Sequence, residues 1–459
     1  MAVADKLVEK LASDLRGELI REDATDYEGA RRVWNEMIDR KPWMIVRCRN
    51  SQDAAQAVDF ARNHQIPLSV RGGGHGVSGT AVCEGGLVVD LSLMRTVRVD
   101  ASRKIATAEG GATWRDFDRA TQAHGLSSTG GIVSETGIAG LTLGGGFGIL
   151  MRKHGLACDN LLEIEIVTAD GQILTASADQ NPDLFWAVRG GGGNFGVVTS
   201  FTYRLHPVAK ILWGPLIHPI DRAGTVLSYY QKFMEGAPDE LQVYAAFLFG
   251  PDGTPVVVLV PAWVGPVAEG LRLLRPLREF GPPLADMVQE VRYPEHRVIF
   301  DAAYARGFRN YWKSNMLDVL TDGAIEALAR EFVKAPSRSG GTAIAIEALR
   351  GAVARVRADD TAFAHRGAAY SAVITAAWKD PSGDDANRAW VRGVWEALRP
   401  FAPQGVYVNY MQDEVEEGEA RVRAAYGPNY ERLSNLKRLY DPNNLFRSVQ
   451  NVRPAGVPP

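Results

Sequence analysis

Three glycine-rich stretches constrain this chain more than any other feature. They are Arg71-Gly72-Gly73-Gly74-His75-Gly76, then Gly137-Ile138-Ala139-Gly140-Leu141-Thr142-Leu143-Gly144-Gly145-Gly146-Phe147-Gly148, then Arg189-Gly190-Gly191-Gly192-Gly193-Asn194-Phe195-Gly196. Glycine loses more backbone freedom on folding than any other residue, so three such loops in one region are costly unless something requires them. A phosphate requires them: several backbone N–H groups converge on it, and a chain without Cβ approaches closely. One loop alone is equally consistent with a tight turn. Three together point to one long, flat, anionic ligand lined by all of them, a dinucleotide. Arg71, at the edge of the first loop, is placed to add a charge-assisted contact. The second stretch does not fit the nicotinamide fingerprint, because it lies well inside the chain and no acidic residue follows at the required distance.

Around these loops the chain alternates strand and helix. Short apolar runs at 43–48, 66–70 and 86–91 read as strands. Ser51 is a candidate N-cap for a helix whose buried face carries Ala54, Ala57, Val58 and Ala61. Residues 1–40 read as helical and charged. This pattern predicts an α/β or α+β domain. Further on, LLEIEIVTADGQIL reads as a β-hairpin turning at Asp170-Gly171. After about residue 207 the glycine density falls. Alternating strand patterns (LQVYAAFLFG, TPVVVLVPAWV, TAIAIEAL, YSAVITAAW) mix there with amphipathic helices at 323–334 and 385–398. They predict a second domain with an antiparallel sheet backed by helices. A chain of 459 residues is too long for one compact core.

Composition excludes several function classes. With 46% hydrophobic and 23% charged residues the chain is ordinary globular protein. A net charge of -3 creates no strong field for nucleic acid or an anionic membrane, so neither is expected as a partner. No apolar run is long enough to span a bilayer, and the amphipathic N-terminus lacks a signal-peptide core, so a cytoplasmic protein is expected. Cys48, Cys83 and Cys158 are far apart and odd in number. Neither a metal site nor a disulfide framework is expected from them.

Taken together, RGGGHGVSG, GIAGLTLGGGFGILMRKHGLACDN, DLFWAVRGGGGNFGVVT and the tail YVNY…YGPNYERLSNLKRLYDPNNLFRSVQN resemble one family. It is the berberine-bridge-enzyme-like branch of the vanillyl-alcohol-oxidase/p-cresol-methylhydroxylase flavoproteins. The four motifs occur in order over about residues 40 to 453, and only the middle of the second domain resembles the family loosely. The resemblance implies an α+β fold: a two-subdomain FAD-binding domain over 1–207, a substrate-binding domain over 208–405, and a segment 406–459 returning to the first. It implies FAD held by Arg71, Gly72, Gly73, Gly74, His75, Gly76, Ser78, Thr136, Gly137, Gly140, Gly144, Gly145, Gly148, Gly196, Val198, Asn409, Tyr410 and Gln450, with Asn451 also in the tail motif. The histidine of the first loop, here His75, is commonly bonded to the flavin 8α-methyl. Many members add a second bond through a cysteine in the loop before the GGG cluster. That position here is Val133, so a single covalent bond is expected. At Thr136, which faces the oxygen-reactive side of the flavin, a small residue goes with oxidases and a bulky one with dehydrogenases.

A flavin accepts a hydride and returns the electrons, usually to O2, while a protein base takes the substrate proton. Two candidates stand out. Tyr410 matches a family tyrosine that acts as base in several members, a role that needs its pKa lowered, for instance by a nearby cation. Glu347 alternates with Ala343 and Ala345, which puts it on one strand face with small residues and room for a ligand. A solvent carboxylate at a strand end is the other reading. His365 and Arg366 are read as structural. The expected activity is an FAD-linked oxidase of secondary metabolism acting on a small organic alcohol, phenol or amine, as a monomer or homodimer. A sugar is less favoured, because sugar-oxidising relatives usually carry the cysteinyl bond. The alternative is an oxygenating flavoenzyme using a flavin–oxygen adduct, motivated by Thr136. A flavin-binding protein without turnover ranks last, since both candidate bases are present.

Overall fold

The computed structural model describes residues 5–402, 405–412, 414–447 and 450–456. It is an α+β protein built on three main sheets. The first has strand order 18–21, 44–47, 87–90, 68–71; the outer pair is antiparallel and the other two are parallel. Met44, Ile45, Val46, Leu87, Val88 and Val89 are all fully buried, as expected of parallel strands covered on both faces. The helix Ser51–Asn63 covers one face with Ala54, Ala57, Val58 and Ala61. Its cap is Asn50, whose side chain accepts from the Asp53 amide at 2.9 Å. Ser51 is already helical, so the expected cap is displaced by one residue.

The N-terminal forty residues are less helical than their sequence suggests. A helix over Asp5–Asp14 is followed by the strand Glu18–Arg21 and a short helix, Tyr27–Arg31. The strand lies against 44–47 closely enough that a Cβ on Gly17 would meet the Arg47 carbonyl oxygen at 1.9 Å. Sheet pairing there overrides the helical local preference.

The second sheet is antiparallel, in the order 97–100, 105–109, 197–204, 161–167, 173–177. The predicted hairpin forms, its turn closed by Thr168 N–H donating to the Gln172 carbonyl at 2.9 Å. After residue 405 the chain returns to this region. Val408, Met411, Tyr426, Tyr430 and Leu433 pack into the same core as Trp114, Phe117 and Trp186. The fully buried Lys437 pins the return: its Nζ donates to the carbonyls of Asn194 (2.6 Å) and Phe446 (2.8 Å) and to Asp441 (2.7 Å). A buried ammonium is tolerated only when paired and hydrogen-bonded in this way.

The third sheet has nine strands between residues 210 and 378, all antiparallel, with 255–263, 241–249, 343–348, 370–378 and 309–317 adjacent in that order. The predicted strands and the helices Asp322–Phe332 and Asp384–Leu398 all form. One face of the sheet carries Val243, Ala245, Phe247, Ile344, Ile346, Ala372 and Ile374 and packs on the helices. Side chains of the intervening positions face the opposite way. Among the described residues no helix is long and apolar enough to cross a membrane.

Candidate active site

A cavity of about 730 Å3 lies between the glycine loops and the helix-free face of the nine-stranded sheet. That is an ordinary size for a cofactor or small-molecule site. One wall is backbone: Gly72, Gly73, Gly74, His75, Gly76 and Ser78 of the first loop, Thr136, Gly137 and Gly140 of the second, and Gly192, Gly193, Gly196 and Val198 of the third. The first two loops touch. A Cβ on Gly73 would meet the Gly137 nitrogen at 2.4 Å, and one on Gly137 would meet the Gly73 nitrogen at 2.4 Å. Only glycine fits at either position.

The other wall is made of side chains at a spacing of two: Tyr244, Ala246 and Leu248; Val256, Val258 and Val260; Ala343, Ala345 and Glu347; Val373 and Thr375. Trp213, Phe300, Tyr304 and Trp312 complete it. Glu347 is 3% exposed, so it is no solvent carboxylate. Its Oε1 accepts from the Tyr410 hydroxyl at 3.0 Å. Its Oε2 is buried with no hydrogen-bond partner. Burial lifts the Glu347 pKa to about 7, and the Tyr410 hydrogen bond offsets part of that rise. No Lys or Arg is among the described lining residues.

Tyr410 lines the cavity, and its surroundings shift its pKa up rather than down. Burial, and then the neighbouring Glu347, push its pKa well above the ordinary value, and no cation acts against them. The Tyr410 hydroxyl is the donor of the hydrogen bond to Glu347.

His75 lines the cavity with its imidazole stacked on Trp34. Its Nε2 is buried with no hydrogen-bond partner. Burial, with a smaller contribution from Arg306, lowers its pKa to about 3. The ring is therefore neutral and keeps a nitrogen lone pair.

Thr136 also lines the cavity, and its backbone is held by Trp114 N–H donating to its carbonyl (3.0 Å) and by its own N–H donating to the Val133 carbonyl (3.2 Å). Val133 lines the cavity, and no cysteine does. Asn409 donates to the Leu141 carbonyl (3.0 Å) and the Tyr407 hydroxyl (2.8 Å), and Gln450 donates to the Gln412 carbonyl (3.1 Å). Both line the cavity. Asn451 does not, although its side-chain oxygen is buried without a partner. His365 and Arg366 lie away from it. His365 contacts the carbonyls of Ala424 and Ala425, and Arg366 donates two hydrogen bonds of 2.7 Å to the Asp159 carboxylate.

Four expected cofactor contacts lie elsewhere. The Arg71 guanidinium turns away from the cavity and donates to the carbonyls of Ala30, Arg31 and Arg32, with Asp90 at 3.7 Å. Those carbonyls occupy the two Nη nitrogens, while Nε is buried with no partner. Gly144, Gly145 and Gly148 are also outside the lining. They permit close packing instead: a Cβ on Gly144 would meet Asn409 Oδ1 at 2.1 Å, and one on Gly148 the Gly130 carbonyl oxygen at 1.9 Å. Conversely, Tyr244, Trp312, Trp34 and Tyr407 were not singled out from sequence. For Tyr244 the strand alternation carried the signal; for Trp34 no local pattern did.

Residues 42–177 match the FAD binding domain family, and residues 406–453 the berberine and berberine like family. An uncharacterized FAD-linked oxidoreductase of Bacillus subtilis (strain 168) is 33% identical over 447 residues, covering 96% of this chain and 97% of that protein. This chain is a berberine-bridge-enzyme-like FAD-linked oxidoreductase. It is also similar to the (R)-6-hydroxynicotine oxidase of Paenarthrobacter nicotinovorans, at 30% identity over 97% of this chain and 99% of that one. The crystal structure of 6-hydroxy-D-nicotine oxidase from Arthrobacter nicotinovorans superposes with a TM-score of 0.85 at 28% identity, covering 95% of this chain and 98% of that one.

The site fits the cofactor of such an oxidoreductase. Gly73 and Gly137 form a cradle that any Cβ would fill, and His75, whose buried Nε2 has no partner, lines the same cavity. The glycine loops would hold the dinucleotide through backbone N–H groups, leaving the isoalloxazine between them and Glu347.

Proposed function

We propose that this protein is an oxidase of small, largely apolar alcohols, phenols or amines, with its FAD bonded once through His75 and O2 as electron acceptor. The observation that carries the reading is Glu347, a buried carboxylate with a pKa near 7 and, among the described lining residues, the one acidic side chain on the wall opposite the glycine loops. When bound, the flavin takes two electrons from the substrate and hands them to dioxygen. Glu347 takes the proton from the substrate hydroxyl or amine. Tyr410 holds Oε1 and orients the carboxylate. Trp213, Phe300, Tyr304 and the valines exclude water and grip an apolar body. An anionic substrate meets a carboxylate and no cation on this wall. A carboxylated analogue is therefore expected to react at least ~10-fold more slowly than its amide, since an unpaired buried charge is expensive. The neutral imidazole of His75 supports the covalent bond, and Val133, where many relatives carry cysteine, supports a single one.

The test couples two readouts. Intact mass and in-gel flavin fluorescence of wild type and His75→Ala read the bond: a fluorescent denatured band with one added FAD, absent in the variant, is expected. A wild-type band without fluorescence, with yellow supernatant, removes the covalent part. Oxygen uptake with peroxide release over a panel of aromatic amines and alcohols reads the activity. Uptake by none of them, in a fully flavinylated enzyme, removes the oxidase reading.

Thr136 supports a second reading, an oxygenating enzyme, because it lines the cavity in the loop that carries Val133. Product formed under labelled O2 decides between them: label in product supports oxygenation, and unlabelled product with labelled peroxide supports the oxidase.

A further inference from the structure

We propose that Trp34 is a positioning residue that orients the His75 imidazole for its bond to the flavin. The inference rests on the covalent linkage proposed above. It concerns a segment, 30–36, that lies outside the matched FAD binding domain region of 42–177.

The indole of Trp34 is 1% exposed and lies flat on the His75 ring, with centroids 4.4 Å apart and planes 16° apart. It is fixed from three sides. Its Nε1 donates to the Tyr304 carbonyl at 2.8 Å, its backbone N–H donates to the Gly74 carbonyl at 2.9 Å, and the edge of Trp312 packs against it at 5.6 Å. A stacked ring blocks one face of the imidazole and resists its rotation out of plane. The nitrogens in that plane are thereby held along one direction.

The rest of the segment is bolted to the same loop. The Arg71 guanidinium grips the carbonyls of Ala30, Arg31 and Arg32. The Asn35 amide donates to the carbonyls of Val77 (2.8 Å) and Asn310 (2.9 Å), and its oxygen accepts from Asn310 N–H (2.8 Å). The histidine loop, the segment 30–36 and the strand 309–317 thus form one unit, with Trp34 at its centre. This gives Arg71 its role: it holds the segment that holds the histidine.

Bonding requires that geometry. An imidazole nitrogen would form a bond to the 8α-methyl carbon as one C–H bond of that methyl breaks and the imidazole gives up its N–H proton, so that two protons are released. The two electrons stay on the isoalloxazine and pass to dioxygen, giving hydrogen peroxide. A ring free to rotate meets the methyl carbon in line for only a fraction of the time, so the rate of bonding falls while FAD binding by the glycine loops persists.

The experiment uses full-length wild type, Trp34→Phe and Trp34→Met, each prepared flavin-depleted and then incubated with FAD in air. Two quantities are followed: total FAD bound under native conditions, by absorbance, and covalent FAD over time, by in-gel fluorescence and intact mass. Native binding is expected to stay near the wild-type level in both variants. Covalent attachment is expected to slow about tenfold or more in Trp34→Met and only a few-fold in Trp34→Phe, which keeps a stacking ring. Attachment in Trp34→Met at the wild-type rate overturns the proposal. So does attachment in Trp34→Phe that is no faster than in Trp34→Met, which would place the effect in loop packing. If Trp34→Met does not fold, a wild-type rate in Trp34→Phe overturns it. Wild type that never attaches FAD removes the linkage itself, and this inference with it, a result distinct from all of these.

Discussion

The two walls of the cavity are built on opposite principles. The glycine wall presents backbone and almost no side chains. Its shape depends on loops so close that Gly73 and Gly137 exclude each other's Cβ. The sheet wall presents side chains at every second position, and one of them, Glu347, is the proposed proton acceptor. A backbone wall recognises what every relative shares, a dinucleotide. A side-chain wall can change residue by residue without disturbing the strands, and so it sets what each relative oxidises. The walls should therefore fail differently: a change on the first loses the cofactor, and a change on the second loses turnover with the cofactor in place.

Gly73→Ala is the hardest test of that division. Its Cβ has no room beside Gly137, so flavin content is expected to fall below about a tenth of wild type. Absorbance of the purified protein measures it. Normal flavin content would mean that the loops are not in contact as described.

Glu347→Gln should do the reverse. Flavin content stays normal while kcat/KM falls about 10²- to 10⁴-fold, the usual cost of losing a general base. In wild type the base must be ionised, so kcat/KM rises with pH and levels off above about 7. That limb disappears in the variant. Loss of flavin from Glu347→Gln would erase the contrast between the walls.

Tyr410→Phe sharpens the assignment of the base. If Tyr410 is a donor to Glu347, its removal leaves the carboxylate harder to ionise, and the limb moves up by about one pH unit. The rate at high pH recovers. A rate abolished at every pH would return the role of base to Tyr410.

The smallest effect is on stability. Glu347 has a folded pKa raised from 4.5 to about 7, so the folded state binds the extra proton between those values. Stability is lost as pH rises through that window and stays lost above it. In the flavin-free protein Glu347→Gln should therefore gain up to about 3 kcal/mol above pH 7 and nothing below about pH 4.5. Paired urea titrations at the two pH values check it, and an equal gain at both would assign the effect to packing.

The glycine wall was largely legible in the sequence, because a loop that must approach a ligand or another loop is written locally, in consecutive residues. The loops did not reveal which glycines serve the ligand and which serve the fold. Gly144 and Gly148 read as cofactor contacts until Asn409 and the Gly130 carbonyl are seen beside them. Arg71 is likewise tied into the fold: a guanidinium next to a glycine loop suits a phosphate, and here its Nη nitrogens are held by three carbonyls from residues 30–32. On the sheet wall, Ala343, Ala345 and Glu347 were placed together by alternation alone. Tyr244 and Trp312 come from other strands, and only the pairing register brings them alongside.

By itself, then, the sequence determined the α+β architecture, the glycine loops that line the cavity and the carboxylate on a strand face of small residues. These depend on periodicity and on neighbours in the chain. The tertiary structure alone put Glu347 and Tyr410, 63 positions apart in the chain, in hydrogen-bond contact and set the directions of their pKa shifts, because a pKa depends on burial and on partners distant in sequence. It also decided that Trp34 lies on His75, a contact made by packing between segments for which no local pattern exists.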